Sequence, residues 1–115
     1  MLVQRGEIYW VDYGVPRGSE QGGQRPALII QNDVGNASSP TTIIAAITTR
    51  KKAPYPFHVD ISAQESGLPH DSTVMLEQLN TFSKDRLIRL AGNLSSAKMR
   101  DIDRALHVSL GLPIA

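Results

Sequence analysis

A glycine-rich polar loop that leads directly into an apolar strand is the feature that most constrains this chain. The segment 18–32 reads GSEQGGQRPALIIQN, and Arg25 and Pro26 stand where the loop gives way to the strand. Glycine-rich loops of nucleotide-binding folds open a helix, so a loop that enters a strand argues against those folds. Flexible backbone and a fixed cation at the rim of a sheet suit the binding of a phosphate group instead.

The pattern of apolar residues along the chain predicts a mainly β protein. Short β-branched and aromatic runs predict strands over residues 7–13, 25–31, 42–49, 57–61, 72–79 and 88–94. Turn formers fill 32–41, a polar loop follows residue 61, and 83–87 is predicted as one helical turn. Ser95 is a typical N-cap for a last helix, and Gly111 suits its C-terminal end. These elements predict a small β-barrel or sandwich with helical additions, in one domain of residues 1–115.

The composition excludes several classes of site. The chain has 115 residues, no cysteine and a formal net charge of +1, so disulfides, thiolate catalysis and cysteine-based zinc sites are excluded. The three histidines, at positions 58, 70 and 107, lack metal-ligand spacing, and each is interpreted as structural or exposed. No metal or cofactor is expected.

The N-terminus and the length of the apolar runs indicate where in the cell the protein is expected. The N-terminus lacks the apolar core of a signal peptide, and the longest apolar stretch, Ile43 to Ile47, is far too short to span a bilayer. We therefore expect a cytoplasmic protein without a membrane partner.

From the residues alone, two interpretations of the loop and of the central strand end stay open. Arg25 is either a solvated surface arginine or a bidentate phosphate ligand beside the flexible Gly22 and Gly23. Thr48 and Thr49 are either β-formers at a strand end or hydroxyl donors to a phosphate oxygen.

Two further polar groups carry the same ambiguity. The basic run Arg50, Lys51 and Lys52 is either a solvated loop or an electrostatic track for a single nucleic-acid strand. Glu77 and Gln78 offer hydrogen bonds to base edges or merely form a polar face. The residues alone do not choose between these readings.

Four segments together carry a family resemblance. They are RGEIYWVDYG near the N-terminus, the loop GSEQGGQRPALIIQND, the strand TTIIAAITTR and the late segment STVMLEQLNTFSKDRL. From about Arg5 to Leu112 the chain resembles the MazF/PemK toxins, and within them it looks most similar to the MazF type of Gram-positive bacteria. The resemblance implies a small SH3-like barrel with a C-terminal helix that works as a homodimer.

The same resemblance implies a function. It implies the toxin of a type II toxin–antitoxin system: a sequence-specific endoribonuclease that cuts single-stranded RNA, chiefly messenger RNA, without a metal or cofactor. Such cutting inhibits translation and growth, and a MazE-like antitoxin with a disordered acidic tail covers the RNA groove. By motif, Arg25 and Thr48 are the implied catalytic pair. The expected RNA-binding set is Ser19, Gln21, Gly22, Thr49, Arg50, Lys51, Glu77 and Gln78, with Glu20 as an RNA contact or acid/base.

The expected chemistry is attack by the RNA's own 2′-hydroxyl on the adjacent phosphorus, giving a 2′,3′-cyclic phosphate and a 5′-hydroxyl end. Arg25 would stabilise the developing charge and Thr48 would position the phosphate or relay a proton. The general base stays open, with Glu20 as an alternative to the arginine. Two competing hypotheses are a non-catalytic toxin that inhibits DNA gyrase on the same fold and an inactive RNA-binding domain.

Overall fold

The computed structural model describes residues 2–15, 22–50 and 53–113. Within these ranges lie six strands, three helices and one 3₁₀ turn. In chain order these are β1 (Glu7–Asp12), β2 (Gln24–Ile29), α1 (Asp33–Ser38), β3 (Thr41–Thr48), β4 (His58–Ile61), α2 (Ala63–Ser66), β5 (Ser72–Ser83), the 3₁₀ turn Lys84–Arg86, β6 (Leu87–Asn93) and α3 (Ser96–Leu110). No helix in these ranges is long and apolar enough to cross a membrane.

The strands form one antiparallel sheet in the order β4-β5-β3-β2-β1-β6, curled into a half-barrel. The longest pairing joins β3 to β5, from Thr41 opposite Ser83 to Thr48 opposite Thr73. Ala45 lies opposite Leu79 while Ala46 lies opposite Met75, so residues 76–78 form an irregularity in β5. Extra residues in one strand re-aim side chains locally, and here Glu77 and Gln78 lie within that segment.

Apolar side chains are buried on both faces of the sheet. One cluster includes Ile8, Leu28 and Leu76 and is covered by Ile102 and Ala105 of α3. The other cluster comprises Val3, Tyr9, Val11, Ala27, Ile29, Ile44 and Leu87. Successive residues of a strand point to opposite faces, so a continuous apolar run such as that in β2 supplies both clusters.

The predicted fold class, mainly β with a C-terminal helix, is confirmed. The prediction of turns over 32–41 was wrong in part, because Asn32 caps a short helix there. Its side-chain oxygen accepts a hydrogen bond from the backbone N–H of Gly35 at 2.7 Å. The strand predicted to end at Leu79 continues to Ser83, since β3 begins early enough to pair with it.

A second short helix occupies the predicted polar loop after residue 61. Ser62 and Glu65 cap α2 reciprocally, each side chain bonding the other residue's backbone N–H. At its C-terminal end Gly67 has a φ of 77°, and a Cβ there would lie 2.1 Å from the carbonyl oxygen of Ala91 in β6. The close approach fixes α2 against β6 and so positions the segment 68–72 that follows.

Candidate functional site

Arg25 and Thr48 lie on the wall of one cavity of about 230 Å³ at the end of the sheet. The cavity forms where β2 begins, β3 ends and β5 begins, because antiparallel neighbours bring these termini to the same edge. Its lining residues are Trp10, Gln24, Arg25, Pro26, Ile47, Thr48, Thr49, Leu68, Pro69, His70 and Ser72.

The guanidinium of Arg25 is exposed at this cavity and is held at one nitrogen. Its Nε donates a hydrogen bond to the carbonyl oxygen of Gly22 at 2.9 Å. Within the described residues no carboxylate forms an ion pair with Arg25. Among the described residues, nothing occupies the two terminal nitrogens of Arg25, so they are available to a bound anion.

Tyr13 lies close enough to Arg25 for the two groups to interact electrostatically. Burial raises the pKa of Tyr13 to about 12, and the positive charge of Arg25 opposes that rise. The tyrosine hydroxyl is buried without a hydrogen-bond partner among the described residues. It stays neutral at physiological pH, so it does not neutralise the charge that Arg25 presents.

The hydroxyl of Thr48 is oriented by the backbone. Its Oγ1 accepts a hydrogen bond from the N–H of Arg50 at 3.1 Å. A hydroxyl that accepts in this way still has its own proton to donate. Thr49, the next residue, also lines a second, more open cavity of about 560 Å³ that contains Asp60, Glu65 and Asp71.

His70 lies on the wall of the Arg25 cavity, although the sequence analysis gave it no chemical role. The backbone around it is held by side chains. The carbonyl of His70 accepts from the Ser72 hydroxyl at 2.9 Å, and the Asp71 carboxylate accepts from the Ala63 N–H at 2.8 Å. The signal that could have found it is its position just before β5, since the start of β5 pairs with the end of β3 at Thr48.

Glu77 and Gln78 are exposed but do not line this cavity. The carboxylate of Glu77 contacts Nε2 of His58 at 2.9 and 3.0 Å, and the His58 side chain is only 6% exposed. The rings of Tyr55 and Phe57 stack in parallel with centroids 5.0 Å apart, and both meet His58 edge-on. We call residues Tyr55, Phe57, His58 and Glu77 the aromatic ledge.

The aromatic ledge and the Arg25 cavity are connected through β5, which pairs with a strand of each. On β5, Thr73 pairs with Thr48 of β3 and Met75 pairs with His58 of β4. Thr73 and Met75 are two residues apart and therefore point to the same face. Strand spacings place Thr48 and His58 roughly 12 Å apart across that face, a distance that a short run of nucleotides can cover.

The remaining predicted site residues fall into two groups, those outside the described residues and those beside the cavity. Ser19, Glu20, Gln21 and Lys51 lie outside the described residues. Gly22 and Arg50 lie beside the cavity through their backbone bonds to Arg25 and Thr48. Within the described ranges, no group of three or more His, Asp or Glu side chains is arranged to hold a metal ion.

Comparison with known proteins gives consistent matches over the chain. A family model described as PemK-like, MazF-like toxin of type II toxin-antitoxin system matches residues 4–110. The chain is 48% identical over 113 residues to Endoribonuclease EndoA of Bacillus subtilis, with 97% of each chain covered.

Two solved structures share the fold. One is an endoribonuclease in complex with its cognate antitoxin from Mycobacterial species, with a TM-score of 0.83, 27% identity, and 98% of this chain and 99% of that chain covered. The other is an endoribonuclease from Mycobacterial species, with a TM-score of 0.82, 25% identity, and 100% and 97% covered. Together with the family model, these likenesses show that the chain belongs to the PemK-like, MazF-like toxins of type II toxin–antitoxin systems.

Proposed function

We propose that this protein is a sequence-specific endoribonuclease that cuts single-stranded RNA, chiefly messenger RNA, and thereby inhibits translation and growth. The observation that carries the proposal is the position of Arg25 and Thr48 on one open cavity at the sheet end. A cation that no described carboxylate engages and an oriented hydroxyl suit an anionic phosphodiester. The name of the Bacillus relative, an endoribonuclease, supports the same activity.

The reaction we propose is a transesterification within the RNA. The 2′-oxygen bonds to the adjacent phosphorus and the bond from phosphorus to the 5′-oxygen breaks. The products are a 2′,3′-cyclic phosphate and a 5′-hydroxyl end. Because the nucleophile belongs to the substrate, this reaction has no need of a metal-bound water, and we propose that it is independent of metals and cofactors.

Arg25 and Thr48 have separate roles in this scheme. Negative charge grows on the non-bridging phosphate oxygens in the transition state, and the Arg25 guanidinium stabilises it. One such donor is worth about 2.7–4 kcal/mol in other enzymes. Thr48 donates a hydrogen bond from its hydroxyl to a phosphate oxygen and so fixes the phosphate relative to the arginine. Glu20 stays our candidate for the base that removes the 2′-hydroxyl proton.

The aromatic ledge supports a preference for a single strand. Tyr55 is 50% exposed and is backed by the parallel ring of Phe57, so an unpaired base can stack on it. Glu77 and Gln78 beside it offer hydrogen-bonding groups to base edges, which A-form duplexes hide. We propose that the ledge binds bases near the cut and that Arg50 contacts the backbone.

We further propose that the protein is a cytoplasmic homodimer controlled by a MazE-like antitoxin. The Mycobacterial neighbour solved with its cognate antitoxin supports such a partner. An acidic, disordered antitoxin tail would compete with RNA for Arg25 and Arg50, ordering as it binds. The exposed apolar residues Leu110, the last residue of α3, and Leu112, just beyond it, are candidates for the dimer contact.

The test is cleavage of a long single-stranded RNA by the purified protein in excess EDTA, with analysis of the fragment ends. We expect discrete cuts with cyclic phosphate and 5′-hydroxyl ends, and their positions reveal the recognised sequence. A substrate with a single 2′-deoxynucleotide at the cut site should bind but resist cutting. Absence of cutting on several unrelated RNAs would favour the gyrase-inhibiting or inactive alternatives, which an assay of gyrase supercoiling separates.

A further inference from the structure

The Arg25 cavity contains one group suited to proton transfer that the proposed function leaves unused. Among the described lining residues, only Arg25 and His70 can change protonation state, and an arginine does not lose its proton near neutrality. The other lining groups are apolar side chains, an amide and hydroxyls. An imidazole is the side chain whose ordinary titration lies nearest neutrality.

The position of His70 is fixed by the fold. Gly67 lies against β6, where a side chain could not fit, and the segment from Leu68 runs from there to the cavity. Leu68 is buried, and Pro69 restricts the backbone immediately before the histidine. The Ser72 hydroxyl holds the carbonyl of His70 at 2.9 Å. Such anchoring fixes the backbone of His70, an exposed residue of the cavity wall, and reduces the entropy lost when a substrate is bound.

We propose that the imidazolium of His70 protonates the departing 5′-oxygen, a role that rests on the ribonuclease function proposed above. As the 2′-oxygen bonds to phosphorus, the bond from phosphorus to the 5′-oxygen breaks and its electron pair goes to that oxygen. The oxygen takes the N–H proton of His70 and leaves as a 5′-hydroxyl. The 2′-hydroxyl proton goes to the base, which releases it to solvent, and solvent returns a proton to the neutral imidazole.

The charges around His70 suit this role once RNA is bound. The charged groups of the two adjoining cavities are Arg25 beside His70 on the first wall, Asp71 next to it in the chain, and Asp60 and Glu65 in the second cavity; Arg89 of β6 lies over the ring of the cavity residue Trp10. A phosphodiester between Arg25 and His70 adds a negative charge that stabilises the imidazolium.

The test compares two substrates that differ in the leaving atom. Both carry the recognised sequence and one ribonucleotide at the cut, and one has sulfur in place of the bridging 5′-oxygen. A thiolate leaves without a proton, so a general acid matters only for the oxygen substrate. We expect His70→Gln to slow single-turnover cleavage of the oxygen substrate by about 10²–10⁴-fold. The sulfur substrate should be cut at nearly the wild-type rate.

Three comparisons make the result specific. His107→Gln removes an imidazole on α3, outside the cavity, and should leave both rates unchanged. Arg25→Ala should slow both substrates, because the arginine stabilises the phosphate whichever atom leaves. For the wild type, the oxygen substrate should lose rate as pH rises and the acid deprotonates, while the sulfur substrate should not; this comparison needs no variant.

Failure of the inference is distinguishable from failure of the proposed function. If His70→Gln slows both substrates equally or neither of them, or if the two wild-type pH profiles coincide, the role of His70 is overturned while the ribonuclease function stands. If the wild-type protein cuts neither substrate, the proposed function fails, and the role of His70 fails with it.

Discussion

The backbone N–H of Arg50 donates a hydrogen bond to the hydroxyl oxygen of Thr48 at 3.1 Å, at the point where β3 ends. This bond fixes the oxygen of the hydroxyl and leaves its proton to be donated elsewhere. Because Thr48 and Arg25 line the same cavity, that proton and the guanidinium are available to a common anion. This geometry supports the proposal that the end of β3 receives an oxygen-rich ligand.

Replacing Thr48 with valine should separate the hydroxyl from the shape of the side chain. Thr48→Val keeps the branching but loses the donor, so we expect kcat to fall by up to about 10²–10³-fold, as for other lost transition-state donors. Thr48→Ser should retain most activity. The fold should lose at most about 1 kcal/mol, since the lost bond is exposed. Thr81→Val, at an exposed position of β5, is the control, and full activity of Thr48→Val would contradict the role.

Removing the cation should harm catalysis more than binding. Arg25→Ala is expected to lower kcat/KM by about 10²–10³-fold, with a smaller loss of RNA affinity measured on the uncleavable 2′-deoxy substrate. Arg25→Lys should be intermediate, because an ammonium is a point charge without the bidentate fork. Arg100→Ala, at an exposed position of α3, controls for net charge. Equal losses of affinity and of cleavage would reduce Arg25 to a binding residue.

The Arg25–Thr48 pair and the His58–Glu77 contact were not equally predictable from the sequence. Arg25 and Thr48 lie in short contiguous motifs, so the family resemblance reached them directly. The hydrogen-bond contact of His58 with Glu77 joins residues 19 positions apart in the chain. It depends on the pairing of β4 with β5 and on the irregularity at residues 76–78, which no local pattern reveals. The place of His70 on the cavity wall was missed for the same reason, since it follows from strand order.

The fold shows a similar division. The strand over Thr41–Thr48 was predictable because a β-branched run of that length is typical of a buried central strand. Helix α1 was missed because Asn32 and Gly35 belong to residue types that also form turns. The segment forms a helix because the Asn32 side chain accepts a hydrogen bond from the Gly35 N–H and because Asn36 is buried. The side-chain amide of Asn36 donates a hydrogen bond to the Gln31 carbonyl oxygen at 2.9 Å.

The aromatic ledge should contribute affinity rather than rate. Tyr55→Ala is expected to weaken RNA binding by about 1–3 kcal/mol, the usual value of one base stacked on an aromatic ring. Tyr55→Phe keeps the ring and is the matched control, which should bind as the wild type does. Fluorescence titration with the 2′-deoxy substrate measures both variants. Wild-type affinity in Tyr55→Ala would remove the ledge from the binding surface.

Acid should destabilise the fold partly through Glu65. The Ser62 N–H bonded to its carboxylate lowers the pKa of Glu65 below the ordinary value of 4.5, despite some opposing desolvation. A carboxyl whose pKa is lower in the folded state stabilises the fold above its unfolded pKa and loses that stabilisation as pH falls through the folded pKa. Urea unfolding from pH 7 to pH 3 should therefore show a shallower acid loss for Glu65→Gln than for the wild type. Parallel curves would contradict this contribution.

A methyl group at Gly67 should test how much the close contact of α2 with β6 stabilises the fold. Gly67→Ala places a Cβ 2.1 Å from the Ala91 carbonyl oxygen and at a φ of 77°, so α2 must move from β6 or the variant must unfold. Gly111→Ala is the matched control, because Gly111 has a φ of 68° but no atom within 4 Å. The control should cost about 1 kcal/mol, the strain of the left-handed backbone, and the Gly67 variant should cost several times more. Chemical denaturation measures both, and equal losses would show that backbone strain, not the contact with β6, is what the glycine relieves.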